Sequence, residues 1–234
     1  MRKKIEKQYG RAVRSIMKSV NPVKKLIIKT SCLVHKVINE KALELILKEG
    51  FEEQYNFYKN NINKMNAGTV WADQDFKSTN HFFHFKEEKG LFGFSNALVE
   101  CTKYFTIAIK LNRSEQLDKS LFYFGAACHL VQDATVPQHV NNRLLNSHRN
   151  FELWIMDRVV NDNILINPVK IKSYEKVEDY IKENAKFANI IYEKYNNIEI
   201  KEERYESIAT KIIEEAVQTT AGIMLDFYKM LSLN

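Results

Sequence analysis

The amino-acid sequence predicts an all-α protein, a bundle of many helices. Hydrophobic residues make up 45% of the chain, enough for a sizeable core, while 7 Gly and 3 Pro are too few for the turns of a many-stranded sheet. Apolar residues recur at spacings of three and four, the period of an amphipathic helix. No Pro/Gly/Ser-rich linker divides the 234 residues, so one helical domain is expected at 31–234, behind a leader at 1–30.

The leader at 1–30 is strongly basic, with ten Lys or Arg and one Glu. Its apolar residues fall at helical spacing with most charges on the other side, which suits an anionic membrane surface or an acidic partner. A solvated, loosely ordered tail explains the same pattern. Charges interrupt the leader too often for a secretory signal, and no apolar run approaches the roughly 18 residues of a membrane span. We therefore expect a cytoplasmic protein or one held at a membrane by its leader.

Beyond the leader the chain is slightly acidic, with 25 basic and 28 acidic residues. A protein that grips a nucleic-acid backbone normally carries a basic patch or stripe. Nucleic acid is therefore the less favoured partner of the helical domain.

Helices are expected along most of the domain. The first lies at about 33–49 and is closed by Gly50, and the second lies at about 51–64. Residues 65–90 lose the helical period and are aromatic, polar and irregular, as loops that carry function often are. After this loop the helical period returns in five segments, at about 95–112, 114–132, 147–161, 173–196 and 202–231. The helix at 114–132 must end near Pro137.

The stretch "HLVQDATVPQH", residues 129–139, places polar side chains in an apolar region. His129 and Asp133 are four residues apart and project from one helix face. His148 and Glu152 repeat this spacing on the next helix, and His139 lies in the turn between them. A single pair of this kind is usually a surface contact. Three histidines within 20 residues, each near a carboxylate or an apolar neighbour, instead suggest zinc ligands held by rigid helices.

These segments and others resemble the zinc-dependent phospholipase C family. "FYFGAACHLVQDATVPQH" is similar to the family's His-x3-Asp-x5-His element with its Pro, and "SHRNFE" to its His-x3-Glu. Upstream, "WADQDFKSTNHFF" resembles the family's Ala-Asp and aromatic-flanked His, and "VHKVINEKALEL" its first-helix histidine followed by Asn. "TTAGIMLDFY" resembles the final helix. The resemblance covers about residues 30–234 in the same order, and fungal single-strand-specific nucleases share the scaffold.

The resemblance implies a helical bundle that encloses a multinuclear zinc site of two to three ions. Asp73, His81, His129 and Asp133 would form one site; His139, His148 and Glu152 a second; and His35 with a bridging Asp133 part of a third. Asp73 would also occupy the position of the family's proposed general base.

Two departures from the family pattern concern the third zinc and the head group. In the family an N-terminal Trp about a dozen residues before the first His completes the third zinc, but the only tryptophans here are Trp71 and Trp154. The third site is therefore expected to be weak, absent or differently ligated. Cys32, three residues before His35, is either a thiolate ligand or a small buried residue. The interval between Asp73 and the next histidine is also short, so head-group preference does not carry over.

The leading functional hypothesis is a zinc metallohydrolase of phospholipase C type, whose substrate is a glycerophospholipid at a membrane surface. A phosphodiester is anionic and resists attack, so its hydrolysis benefits from cations that neutralise the phosphoryl oxygens. The products would be diacylglycerol and a phosphorylated head group. One alternative is a single-strand nuclease or 3′-nucleotidase, and another is a non-catalytic helical protein with structural zinc. Members of the family that the sequence resembles are usually secreted.

Overall fold

The regular structure of the chain is helical, which confirms the predicted all-α class. The computed structural model describes residues 21–74, 77–91, 95–141, 146–161 and 164–232, and no strand occurs within these ranges. The helices are α1 (Asn21–Lys48), α2 (Glu52–Ala72), α3 (Ala97–Arg113), α4 (Leu117–Asp133), α5 (Pro137–Val140), α6 (Asn146–Val160), α7 (Val177–Tyr195) and α8 (Lys201–Ser232). A short 3-10 helix, Lys77–Asn80, lies between α2 and α3. Among these described helices, none is long and apolar enough to cross a membrane.

Two helix boundaries differ from the predictions. Helix α1 begins at Asn21 rather than near residue 33, so it passes without interruption through the predicted boundary at residue 30. Residues 1–20 of the predicted leader lie outside the described residues. Helix α2 continues to Ala72 instead of ending near residue 64.

The extension of α2 has a simple packing reason. Met65, Gly68, Thr69 and Ala72 are all buried and follow the helical spacing of three and four. Gly and Thr do not count as apolar residues in a periodicity search, so the buried face was not recognised in the sequence. The predicted functional loop consequently begins near residue 73, immediately after α2.

Helices α2 and α4 touch each other through two glycines. A Cβ at Gly68 would lie 1.7 Å from the Phe122 carbonyl oxygen, and a Cβ at Gly125 would lie 1.9 Å from the Met65 carbonyl oxygen. No side chain fits at either position, so the two backbones pack in direct contact. This approach brings the carboxyl ends of α2 and α4 close together.

The close approach of α2 and α4 gives a test of the fold. We expect Gly125→Ala to lower the free energy of unfolding by at least about 2 kcal/mol, because the added methyl group must push two helix backbones apart. Denaturant unfolding measures this loss. The exposed neighbour of Gly68, Ala67, provides the control, since Ala67→Ser should stay within about 0.5 kcal/mol of wild type. Equal stability of Gly125→Ala and wild type would contradict the described packing.

Helix α4 is the centre of the bundle. It contacts α2, α3, α7 and α8, and most of its residues from Ser120 to Asp133 are buried. Helix α8 packs against α1 and α7 on the other side of the core. The segment after α2 is tied to α5 by two backbone hydrogen bonds, from Phe83 N to His139 O and from Phe85 N to Val140 O. The carboxyl end of α4 is therefore surrounded by α1, α2, α5 and this segment.

Candidate metal centre

The carboxylate of Asp133, the last residue of α4, is the point on which four histidines converge. Its Oδ2 atom lies 2.7 Å from His81 Nδ1, 3.1 Å from His129 Nε2 and 3.5 Å from His139 Nδ1. Its Oδ1 atom lies 3.4 Å from His35 Nε2. The histidines come from α1, the segment after α2, α4 and α5, so residues almost 100 positions apart in the sequence meet around one carboxylate.

The spacing of the atoms near Asp133 Oδ2 suits a tetrahedral metal ion. Zinc ligands at 2.0–2.1 Å from the ion lie about 3.3 Å from one another in a tetrahedral site. His81 Nδ1 and His129 Nε2 are 3.2 Å apart, and their distances to Asp133 Oδ2 are 2.7 and 3.1 Å. One carboxylate oxygen of Asp73 and one ring nitrogen each of His81 and His129 all lie within 4.8 Å of one another, so Asp73 is a further candidate ligand. Nitrogen and oxygen donors of this kind are the ones that zinc accepts.

Hydrogen bonding gives an independent test of whether these residues fit a cation. His81 Nε2 donates to the Ala72 carbonyl oxygen at 3.1 Å, which leaves Nδ1 as an acceptor facing Asp133. Within the described part of the chain, no group is oriented to donate a hydrogen bond to the buried Asp133 Oδ2 or to bond His129 Nδ1. A buried polar atom without a partner costs about 1–3 kcal/mol. A cation among these acceptors would remove that cost at Asp133, so the residues fit a metal ion.

The charge states of the cluster also suit a metal ion. Desolvation, followed by the influence of the nearby His129, lowers the pKa of His35 to about 4. Desolvation likewise lowers the pKa of His129, although Asp133 opposes this effect. Burial alone would raise the pKa of Asp133, but the combined influence of His129 and His139 holds it well below its usual range. At neutral pH His35 and His129 are therefore neutral and Asp133 is ionised, the forms that bind metals.

His139 lies between Asp133 and Glu152. Its Nε2 atom is 3.6 Å from Glu152 Oε1, and its ring stacks on Phe82 with centroids 4.8 Å apart. Burial lowers the pKa of His139, but Asp133 and then Glu152 outweigh burial and raise it. The side chain of His148, the third predicted member of this group, lies outside the described residues. Of the predicted second site, the structure therefore brings His139 and Glu152 together.

A cavity of about 60 Å³ lies between Glu152 and the rest of the centre. The rest of its lining is mainly aliphatic, and its polar residues are His35, Gln132, Asp133, Thr135 and Glu152. The side chain of Glu152 is 39% exposed, compared with 5% for Asp133. This cavity therefore connects the buried carboxylate to solvent.

Cys32 contacts Asp73 rather than His35. Its Sγ atom donates to Asp73 Oδ2 at 3.4 Å, and burial, followed by the charge of Asp73, raises the pKa of the thiol. Among the described residues, the candidate ligand atoms form two groups, and Cys32 belongs to neither of them. The groups are His35, His129 and Asp133, and Asp73, His81 and His129. The protonated thiol thus acts as a hydrogen-bond donor behind Asp73.

We expect Cys32→Ser to keep the zinc content of the wild-type protein, because a hydroxyl still donates a hydrogen bond to the Asp73 carboxylate. Metal analysis of the purified variant measures this. The buried Cys101 provides a matched control, since Cys101→Ser changes a thiol that donates to the Ala127 carbonyl oxygen. Loss of one zinc equivalent from the Cys32 variant alone would identify the thiolate as a ligand.

Sequence reasoning missed the polar side chains behind the histidines. His35 Nδ1 lies 2.8 Å from Gln132 Oε1, and Gln132 in turn contacts Asn39 and Thr220. A signal was present, since Asn39 lies four residues after His35 and Gln132 is a polar residue inside a buried run. His84, which has no matching ligand position, lies in a turn where its Nδ1 accepts from Glu87 N.

The chain has similarity to known phospholipases C in sequence and fold. A model of the family described as zinc-dependent phospholipase C matches residues 34–205. A phospholipase C from Listeria monocytogenes is 28% identical over 129 residues, which cover 52% of this chain and 44% of that protein. Alpha toxin from Clostridium absonum has a similar fold, with a TM-score of 0.73 at 18% identity. Clostridium perfringens alpha-toxin from an avian strain gives 0.72 at 19% identity.

The length of the match differs between this chain and its relatives. The two toxin alignments cover 85% and 86% of this chain but 64% of each toxin. The chain therefore spans less than half of the Listeria protein and less than two thirds of the toxins. At identities below one fifth, the likeness to the toxins concerns the fold.

Proposed function

Because the chain belongs to the zinc-dependent phospholipase C family, we propose that it hydrolyses glycerophospholipids to diacylglycerol and a phosphorylated head group. The observation that carries this proposal is the convergence of His35, His81, His129 and His139 on the carboxylate of Asp133. A buried cluster of this composition has little value for packing alone, because it places acceptor atoms against one another.

The proposed metal content is two to three zinc ions. Asp73, His81, His129 and Asp133 Oδ2 would hold one ion. His35 and Asp133 Oδ1 would contribute to another, and His139 and Glu152, with the predicted ligand His148, would hold a further one. Bound zinc would stabilise negative charge on the phosphodiester and activate a water molecule near neutral pH.

Asp73 is the proposed general base. It follows the last residue of α2, is half-buried, and lies beside His81 and His129. The hydrogen bond from Cys32 to Oδ2 restrains the carboxylate without neutralising it. A carboxylate in this position can orient the attacking water and accept its proton as the bond to phosphorus forms. The proton would thus pass from water to Asp73, the P–O bond to diacylglycerol would break, and the leaving oxygen would take up a proton from solvent.

The cavity beside the centre supports a lipid substrate. Its walls include Val34, Ile38, Ile155 and Ile212, and no Lys or Arg lines it within the described residues. A nucleic-acid strand normally requires basic side chains along its phosphates. The aliphatic surface next to Asp133 is better suited to the apolar part of a lipid, which agrees with the similarity to a phospholipase C from Listeria monocytogenes.

The proposal is tested by assaying the zinc-loaded protein against phosphatidylcholine, phosphatidylethanolamine and single-stranded DNA. We expect release of a phosphorylated head group from at least one lipid, loss of this activity with a chelator, and recovery with added zinc. Turnover of DNA without lipid turnover would identify a nuclease on the same scaffold. A zinc-bound protein that hydrolyses none of the three substrates would contradict the proposed enzyme.

A further inference from the structure

We propose that a relay of three buried side chains, Thr69, Asn39 and Gln132, fixes the ring tautomer of His35, so that only its Nε2 atom can bind a metal ion. Gln132 and Asn39 are thereby positioning residues for the metal centre. This inference rests on the proposed zinc site, and it adds the means by which one ligand is held in its binding form.

The relay begins at the hydroxyl group of Thr69 on α2, which is fully buried. Its Oγ1 atom lies 3.1 Å from the Gly125 carbonyl oxygen and 3.2 Å from the Met65 carbonyl oxygen. Carbonyl oxygens only accept, so the single hydroxyl proton must go to one of them. Towards Asn39, 3.3 Å away, Thr69 can therefore only accept. The amide nitrogen of Asn39, rather than its oxygen, must face Thr69.

The orientation of Asn39 then determines that of Gln132. Asn39 Nδ2 also donates to Asn66 Oδ1 at 2.8 Å, so Asn39 Oδ1 is directed towards Gln132. Gln132 Nε2 donates to this oxygen at 2.7 Å and to Thr220 Oγ1 at 3.2 Å. Gln132 Oε1 consequently faces His35 Nδ1 at 2.8 Å. An amide oxygen cannot donate, so His35 Nδ1 must carry the ring proton.

The relay determines what the other side of the ring can do. In the neutral imidazole with a proton on Nδ1, Nε2 holds a lone pair, and this atom lies 3.4 Å from Asp133 Oδ1. If the Gln132 amide were reversed, its nitrogen would donate to Nδ1 and the ring proton would move to Nε2. His35 would then donate to Asp133, and the two residues would satisfy each other without a metal ion. The buried amides therefore keep the centre open for a cation.

The test compares two variants that remove different contacts of the same amide. Gln132→Leu removes the acceptor for His35 Nδ1. Thr220→Val removes only one of the two acceptors of Gln132 Nε2, and the other acceptor, Asn39 Oδ1, still orients the Gln132 amide. We expect Gln132→Leu to lower zinc affinity about 10–100-fold, as is usual when a partner behind a metal ligand is lost. Thr220→Val should leave affinity unchanged within about twofold, because the tautomer is retained. Competition with a chromophoric chelator measures both affinities.

The tautomer itself is read from the ring ¹⁵N chemical shifts of His35 in the metal-free protein. Wild type and Thr220→Val should carry the proton on Nδ1, and Gln132→Leu should not hold it there. Thr69→Val changes a residue far from the His35 ring and nearly preserves the shape of the side chain. It should give a mixture of both tautomers. This variant provides the test if Gln132→Leu does not fold. The relay would be overturned if His35 carried its proton on Nε2 in the wild-type protein. It would also be overturned if Gln132→Leu and Thr69→Val both kept the wild-type tautomer. Failure of the wild type to bind zinc would instead refute the proposed function.

Discussion

Asp133→Asn is expected to remove zinc from the protein and to lower its affinity for zinc by more than about 100-fold. Losing a partner behind a ligand already costs about 10–100-fold in metal affinity, and Asp133 is the shared neighbour of four candidate histidine ligands. The substitution preserves the shape of the side chain but removes its charge. Phosphodiester turnover should fall at least as far as zinc occupancy. Metal analysis of the purified variant and a zinc titration measure the effect.

A second carboxylate serves as the control for Asp133→Asn. Glu100 on α3 is 9% exposed and pairs with Lys103 at 3.1 Å, away from the candidate ligands. Glu100→Gln should therefore retain the zinc content of the wild type. Full zinc occupancy in Asp133→Asn would show that the histidines do not share an ion through this carboxylate.

Removal of zinc by a chelator is expected to lower the melting temperature by about 10 °C or more. A ligand present at 1,000 times its Kd stabilises the folded state by about 4 kcal/mol for each site. For a domain of this size, each kcal/mol corresponds to about 2–4 °C in Tm. Without the ion, the buried Asp133 Oδ2 and His129 Nδ1 atoms lack hydrogen-bond partners among the described residues. Thermal unfolding with and without chelator measures the shift.

The specificity of the chelator effect can be checked with the same variants. Added zinc should restore the melting temperature, and added magnesium should not, because nitrogen ligands favour zinc. Glu100→Gln should respond to the chelator like wild type, whereas Asp133→Asn should respond little. If the chelator lowered the melting temperature of both variants equally, the responsible ion would lie elsewhere in the protein.

The helical class and the pairing of His129 with Asp133 were predictable from local patterns, whereas the meeting of the more distant histidines was implied by the family resemblance. The spacing of four between His129 and Asp133 places both side chains on one face of α4, and the structure has them 3.1 Å apart. The resemblance to a family implied that His35 and His81 belong to the same cluster. Their assignment as zinc ligands stays a prediction, as does the role of His148, whose side chain lies outside the described residues.

Other features depend on tertiary contacts that no local pattern reports. The extension of α2 to Ala72 depends on the direct contact of Gly68 with the backbone of α4. The ring nitrogen that His35 offers depends on Gln132, which is 97 residues away in the sequence. The contact of Cys32 with Asp73 likewise follows from the packing of α1 against the end of α2. The sequence analysis assigned no role to Gln132 and left Cys32 as either a thiolate ligand or a small buried residue.

The most direct test of the metal centre is a crystal structure of the zinc-loaded protein with anomalous scattering recorded at the zinc absorption edge. We predict an anomalous peak bounded by His81 Nδ1, His129 Nε2 and Asp133 Oδ2, and a second peak on the His35 side of Asp133. A well-ordered, zinc-loaded crystal with no peak within bonding distance of Asp133 would contradict the proposed centre.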